Sequence, residues 1–417
     1  MRRLWFQIAH TSGATIVSIA ASIISMTITA RLLGPTGRGV FVAATSWVGL
    51  FATLGTLSLG QVVVHQVAGR PHEDWLEEIT GTALAITVGV TLCGWLLVAV
   101  LYHATGGELF GHLPPMLLAL AFLSLPLALW ADTARYVVTA LDAIRVANWA
   151  QIVSAATAVI GIVMLVGVLR SGVRGAVIAA VLANVASAGV MLVYVLRRVG
   201  RMQPQLVLAR RLLRGSAQLH LTAVGNYLYT QASVLVLNYY RPPAETGYYQ
   251  LAAQLFGFAL IVSTAVSTVS FGLVAKKGPN GAWPEQRLLI AQSMGFACII
   301  GVSAYVLAPI AIRLVAGERF LPAVPLFRII LPALFGATFS TVTASQWIGR
   351  GLFVQAAVLT IIIGALSITL DLILVPRYGM RGAVVSTLVT YGISVVGNGT
   401  MALWVQRQWK KAQVVLA

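Results

Sequence analysis

Twelve stretches of at least 20 residues carry no Asp, Glu, Lys or Arg: 4–30, 39–69, 79–107, 109–131, 146–169, 175–196, 215–240, 246–275, 288–312, 329–349, 351–370 and 382–406. A helix needs about 20 apolar residues to cross the hydrocarbon of a bilayer. The twelve runs take up 303 of the 417 residues, so little chain is left for a water-soluble domain. Only 9% of the residues are charged, against about 25% in soluble globular chains. A transmembrane β-barrel is excluded, because its strands alternate apolar and polar over about ten residues. The sequence therefore predicts an all-α integral membrane protein with twelve transmembrane helices. The first run follows Met-Arg-Arg, opens with Leu4-Trp5 and is too long for the core of a signal peptide, so it reads as a retained first helix.

Charge predicts the topology. The net charge is +17. Twelve spans bring both termini to one side. Loops on that side hold 18 of the 28 basic residues, the opposite loops hold nine, and Arg328 falls inside a span. Lys and Arg mark the cytoplasmic side, so both termini are expected in the cytoplasm. The basic excess then needs no nucleic-acid partner. Cys93 and Cys298 lie in apolar runs, and the histidines at 10, 65, 72, 103, 112 and 220 do not cluster at ligand spacing. No disulfide, metal or cofactor is expected.

The chain repeats itself at an offset of 207–208 residues. Leu33-Gly-Pro-Thr-Gly-Arg-Gly39 matches Arg241-Pro-Pro-Ala-Glu-Thr-Gly247, Pro114 matches Pro322, and Gly172-Val-Arg-Gly-Ala-Val177 matches Gly379-Met-Arg-Gly-Ala-Val384. Six spans per repeat is an even number, so the two repeats share one orientation. That predicts parallel six-helix bundles, 1–205 and 206–417, related by an axis along the membrane normal with a site between them. The basic stretch Arg197–Arg214 is the expected linker.

These motifs carry a resemblance. Ala30-Arg-Leu-Leu-Gly-Pro-Thr-Gly-Arg-Gly-Val-Phe41 resembles the turn joining the first two helices of bacterial Wzx-like polysaccharide flippases. Those proteins belong to the multidrug/oligosaccharidyl-lipid/polysaccharide exporter superfamily. Gly317-Glu-Arg-Phe-Leu-Pro-Ala-Val-Pro-Leu-Phe-Arg-Ile-Ile330 is similar to the entry to their tenth helix, and the two Gly-Xaa-Arg-Gly-Ala-Val boxes are similar to the turns before their sixth and twelfth. The resemblance spans the whole chain, but its motifs are turn chemistry rather than site chemistry. It implies a central cavity lined mainly by helices 1, 2, 7 and 8. It also implies a bacterial inner-membrane protein that flips isoprenyl-pyrophosphate-linked oligosaccharides to the outer leaflet for surface polysaccharides such as O-antigen, lipopolysaccharide or exopolysaccharide. Its partners would be that substrate, membrane lipids, and the polymerase and glycosyltransferases of the same assembly line.

The residues themselves offer candidates for such a cavity. In the first span Ser18, Ser22, Ser25 and Thr29 share a helical face, either a hydroxyl wall for sugar or a small-residue packing seam. In the seventh, His220, Tyr227, Gln231 and Asn238 share a face, with Asn226, Tyr229 and Thr230 beside it; Gln250 and Gln254 follow in the eighth. An amide facing lipid leaves donors unsatisfied at several kcal/mol each, so that face must meet water or protein. Arg31, Arg38 and Arg241 flank these spans at the outer face, and Arg328 lies about two turns into the tenth. Guanidinium groups suit a pyrophosphate through bidentate hydrogen bonds. Solvated loop positions for the first three, and snorkelling for Arg328, are the plainer readings. Asp132 can pair with Arg135 or take part in ion coupling. Asp371 can bind a coupling ion or proton, or sit at the interface beside Arg377.

Two other functions compete. A multidrug/cation antiporter of the same superfamily usually carries an acid in its first or seventh span, and runs 1 and 7 contain none. A polytopic glycan-assembly enzyme needs an acid in its first outer loop or a large outer loop, and this chain has neither. No phosphate-binding glycine loop or catalytic triad is present. The chain is therefore expected to be a transporter rather than an enzyme, working by alternating access.

Overall fold

A computed structural model describes the backbone of residues 2–67, 75–111 and 113–416, and their side chains except at 2–12, 65, 215, 217–219 and 406–416. Arg70, His72 and His112 lie outside the described residues. No strand occurs among the described residues. The helices are α1 Arg2–Thr56, α2 Leu59–Val67, α3 Leu76–Ala104, α4 Pro115–Phe122, α5 Leu125–Ala140, α6 Ile144–Gly161 (extended by a π-helical turn, Ile162–Val168), α7 Gly172–Leu196, α8 Leu206–Tyr240, α9 Pro243–Ala259, α10 Ile261–Ala316, α11 Ala323–Ile330, α12 Ala333–Gly349, α13 Phe353–Tyr378 and α14 Met380–Leu416.

Eight helical segments are long and apolar enough to span a membrane, and the pair α11–α12, bent by 47°, makes a ninth. Two of the nine are double. α1 breaks at Gly34 (φ 65°, ψ −178°) and α10 at Gly278 (φ 70°, ψ 164°). Each break is a Gly-Pro pair: only glycine adopts those angles cheaply, and the following proline removes a helix hydrogen bond. Adding α8, whose charge-free run 215–240 is made less apolar by His220, Asn226, Gln231, Asn238 and its tyrosines, gives twelve crossings among the described residues, in register with the twelve charge-free runs. Gly278→Ala is expected to cost about 1–3 kcal/mol and to lower the thermal midpoint of the purified protein by several degrees. An unchanged midpoint would show that the break needs no glycine.

The duplication appears in the backbone. Gly172 and Gly379 open the last span of each repeat with φ 58° and 57°. A further equivalence, absent from the sequence reading, pairs Gly107-Glu-Leu-Phe110 with Gly317-Glu-Arg-Phe320. Both glycines have positive φ (84° and 86°), a single 3₁₀ turn follows each, and both phenylalanines are fully buried. The span that comes next is broken both times, between α4 and α5 and between α11 and α12.

The chain forms two compact units. One contains residues 1–224, 242–247 and 315–319, and the other 225–241, 248–314 and 320–417. In the first, Leu59, Val63, Trp75, Val137, Val195 and Leu212 form an apolar core. The two glycine loops of the repeat also meet there. A side-chain carbon on Gly39 would overlap the carbonyl of Pro243, and one on Gly247 would overlap that of Pro35. The contact is reciprocal, as two-fold-related elements make.

In the second unit a hydroxyl ladder joins α10 to α12. Ser263 bonds Thr338 (2.7 Å), Ser267 donates to the Thr341 carbonyl (2.9 Å) and Ser270 bonds Ser345 (2.8 Å). Gln286 closes it, donating to both Ser270 and Ser345. With no hydrophobic force between helices in lipid, packing and such bonds supply the adhesion.

Candidate functional site

Within the first unit, Arg38 is buried. Its Nη1 donates to the Met26 carbonyl (3.1 Å) and to Thr29 Oγ1 (2.9 Å), bridging the turn at Gly34. Thr29, expected on a sugar-facing wall, is itself buried and also donates to the Ser25 carbonyl (2.7 Å). Ser22 is exposed, Ser18 donates to the Ala14 carbonyl, and His220 is half-buried. Arg31 is exposed, with Nε on the Val315 carbonyl at 3.3 Å. Asp132 is half-buried on α5, one turn from exposed Arg135.

The second unit holds most of the polar span residues. On α8, the side chains of Asn226 and Thr230 are exposed near the middle of the charge-free run 215–240, and Tyr227 and Gln231 are half-buried beside them. Asn238 is buried, so the open strip does not continue down the face read from the sequence. Tyr229 turns inward and packs against Tyr391, the rings tilted by 60° with centroids 4.8 Å apart; Phe256 also packs against the Tyr391 ring, at 5.7 Å. Gln250 and Gln254 of α9 are half-buried.

Asp371 does not sit at an interface beside Arg377. It is fully buried, while Arg377 is exposed. The two are six residues apart on α13 and so point about 120° away from each other. Ser233 of α8 donates to Asp371 Oδ2 at 2.8 Å, and Oδ1 is buried with no hydrogen-bond partner among the described residues. Around this acid, Tyr249 bonds Thr387 at 3.1 Å and Ser386 donates to the Ser367 carbonyl. The helices approach closely because Gly364 lies against the carbonyl of Gly225. Further along the pair, Arg241 grips the end of α13, with Nε on the Val375 carbonyl (3.2 Å) and Nη2 on that of Pro376 (2.9 Å). Both carbonyls lie in the last turn of α13, where few helix N–H groups follow to occupy them.

Sequence reasoning missed Ser233, since a serine in an apolar helix carries no signal of its own. It also missed the ladder of Ser263, Ser267 and Ser270, although the spacing i, i+4, i+7 marks one face. Arg328 donates from Nε to the Tyr305 carbonyl (3.0 Å) and lies 4.7 Å over the Tyr305 ring. No group of three or more His, Cys, Asp or Glu able to hold a metal occurs among the described residues.

The fold is that of known transporters. The chain matches the lipid II flippase MurJ in its inward closed conformation with a TM-score of 0.78 at 15% identity, over 94% of this chain and 87% of that one. It matches a multidrug resistance MATE family transporter of the MOP superfamily, inward-facing, at 0.72 and 13%, over 96% and 99%. A MOP superfamily transporter from Pyrococcus furiosus matches at 0.66 and 12%, over 96% and 95%. No curated protein sequence matches. These likenesses establish the twelve-helix, two-bundle fold of a multi-pass membrane protein. A family model described as polysaccharide biosynthesis protein matches residues 4–276. With that match covering well over half of its length, the chain belongs to the polysaccharide biosynthesis protein family, and its fold is that of the MOP-superfamily transporters and flippases.

Proposed function

We propose that this protein flips an isoprenyl-pyrophosphate-linked oligosaccharide from the cytoplasmic to the outer leaflet of a bacterial inner membrane, with bundles 1–205 and 206–417 alternating access. The single observation that carries this reading is the exposure of Asn226 and Thr230 in mid-span on α8. The Thr230 hydroxyl is satisfied by the Asn226 carbonyl at 2.8 Å, but an amide turned away from protein at that depth, as at Asn226, is incompatible with hydrocarbon and requires water or a polar cargo. Sugar rings offer hydroxyls to amides and C–H faces to aromatic rings. Ser22, His220, Asn226, Tyr227, Gln231 and Gln254 are the proposed saccharide contacts. Arg31 and Arg241 donate to the pyrophosphate, with Arg38 and Thr29 bracing the turn behind them.

A lone buried carboxylate is costly as a bare anion by several kcal/mol. Asp371 therefore carries a proton or a monovalent cation in the resting protein and releases it during the cycle. Export of a diphosphate also gains about 2.3 kcal/mol per charge for each 100 mV of potential, positive outside.

The test is reconstitution in liposomes with a fluorescent isoprenyl-pyrophosphate oligosaccharide, scored by access of an impermeant reagent to the sugar. Protein-dependent exposure of the sugar in the distal leaflet is expected, and Asn226→Leu with Thr230→Val should slow it about tenfold, equal to about 1.4 kcal/mol. Exposure no faster than in empty liposomes would overturn the reading.

A further inference from the structure

Arg328 lies at one edge of a groove of about 290 Å³ lined by Cys298, Val302, Tyr305, Val306, Pro332 and Phe335. The groove runs between the second half of α10 and the bend joining α11 to α12. Its walls are open: Val302 is 61% exposed, Val306 64% and Phe335 42%. The same stripe of α10 continues through Ile310 and Leu314, both exposed. In a membrane such an apolar ridge meets acyl chains.

A guanidinium in that setting is expensive unless it meets an anion. Its orientation is fixed, since Nε is spent on the Tyr305 carbonyl and the group rests on the Tyr305 ring. Neither contact neutralises the charge, and no carboxylate pairs with Arg328 among the described residues. The two terminal nitrogens remain as a planar fork, the geometry that grips a phosphate through two hydrogen bonds. The sequence reading assigned this fork to a pyrophosphate. The apolar, outward-open groove beside it fits a bilayer lipid better, because such a lipid brings its phosphate and its acyl chain together.

We propose that this groove is a binding site for a bilayer phospholipid of net negative charge, with the phosphodiester on Arg328 and one acyl chain along Val302 and Val306. A zwitterionic lipid brings its own ammonium to compete for the phosphate, and no described acid stands at Arg328 to hold that ammonium. A headgroup with no cation leaves the phosphate to the arginine. This site is independent of the transport reading, because its ligand is a component of the bilayer and not the cargo.

The test uses the full-length protein in detergent with phosphatidylglycerol or phosphatidylcholine, read by native mass spectrometry. One phosphatidylglycerol should be retained about tenfold more tightly than phosphatidylcholine, the discrimination expected of a single partly desolvated charge pair. Arg328→Gln should abolish that preference, and Val306→Trp, which fills the groove but keeps the charge, should lower occupancy by either lipid. Thermal midpoints of both variants report whether the fold survives. Equal retention of phosphatidylglycerol by the unaltered protein and both folded variants would overturn the proposal. Stoichiometric displacement of that lipid by an isoprenyl pyrophosphate would also overturn it, by assigning the fork to the cargo.

Discussion

Asp371→Asn is expected to leave the protein in the membrane and to cut ion-driven export by at least about tenfold. The substitution keeps the size of the side chain and an oxygen for the Ser233 hydroxyl, whose bond to the carboxylate is 2.8 Å long. It removes the one property an amide lacks, the ability to take up and release a proton or cation. Export by the unaltered protein should rise when a proton or sodium gradient is imposed across the liposomes. Export by the variant should not respond to either gradient. Asp371→Ala is the harsher change, since it leaves the buried Ser233 hydroxyl without its acceptor. Ser233→Ala keeps the acid and should show an intermediate loss. If Asp371→Asn exports at the normal rate with the normal gradient response, the carboxylate is structural.

Gly39→Val should have the second large effect. Its first side-chain carbon would overlap the Pro243 carbonyl and stand 3.1 Å from the Gly247 nitrogen. Rotamer choice cannot relieve this, because the clash is with backbone. Overpacking of that kind costs about 1–3 kcal/mol, enough to shift the loop contact by about five- to 150-fold toward its separated form. Spin labels at positions 36 and 245 should report a longer distance in the variant. Transport should fall even though membrane levels are normal. Gly247→Val, which would strike the Pro35 carbonyl, should reproduce the effect. A distance unchanged by either substitution would mean that the loops yield without parting.

The twelve spans were legible because hydrocarbon thickness and charge exclusion act on composition alone. The kinks were legible in part: Gly34-Pro35 lay inside a recognised motif, whereas Gly278-Pro279 looked like an ordinary loop. The duplication was visible at Gly172 and Gly379, where positive φ demands glycine, and at Gly39 and Gly247, where close backbone approach does. The pair Gly107–Phe110 and Gly317–Phe320 escaped because two short turns of low complexity look alike by chance; the structure distinguishes them by shared φ and shared burial of the phenylalanine.

The polar residues were harder. Helical spacing put Asn238 in line with Tyr227 and Gln231, but a face need not stay open along its length, and packing closes around Asn238. Arg38 read as a pyrophosphate donor or a solvated loop cation, and the structure spends it on the Met26 carbonyl and Thr29. Asp371 stood out as a rare intramembrane acid. Its partner Ser233 lies 138 positions away, on a helix whose proximity no local pattern announces.

Thr230 and Ser233 are three residues apart on α8, a rise of about 4.5 Å. The serine holds the acid of α13, and the threonine stands on the exposed strip of α8. Under the proposed function, loading or emptying the carboxylate would tug on a helix less than one turn from where the cargo would lie. Fuel and freight would then share a single rigid rod, with no relay of intervening residues needed to join them.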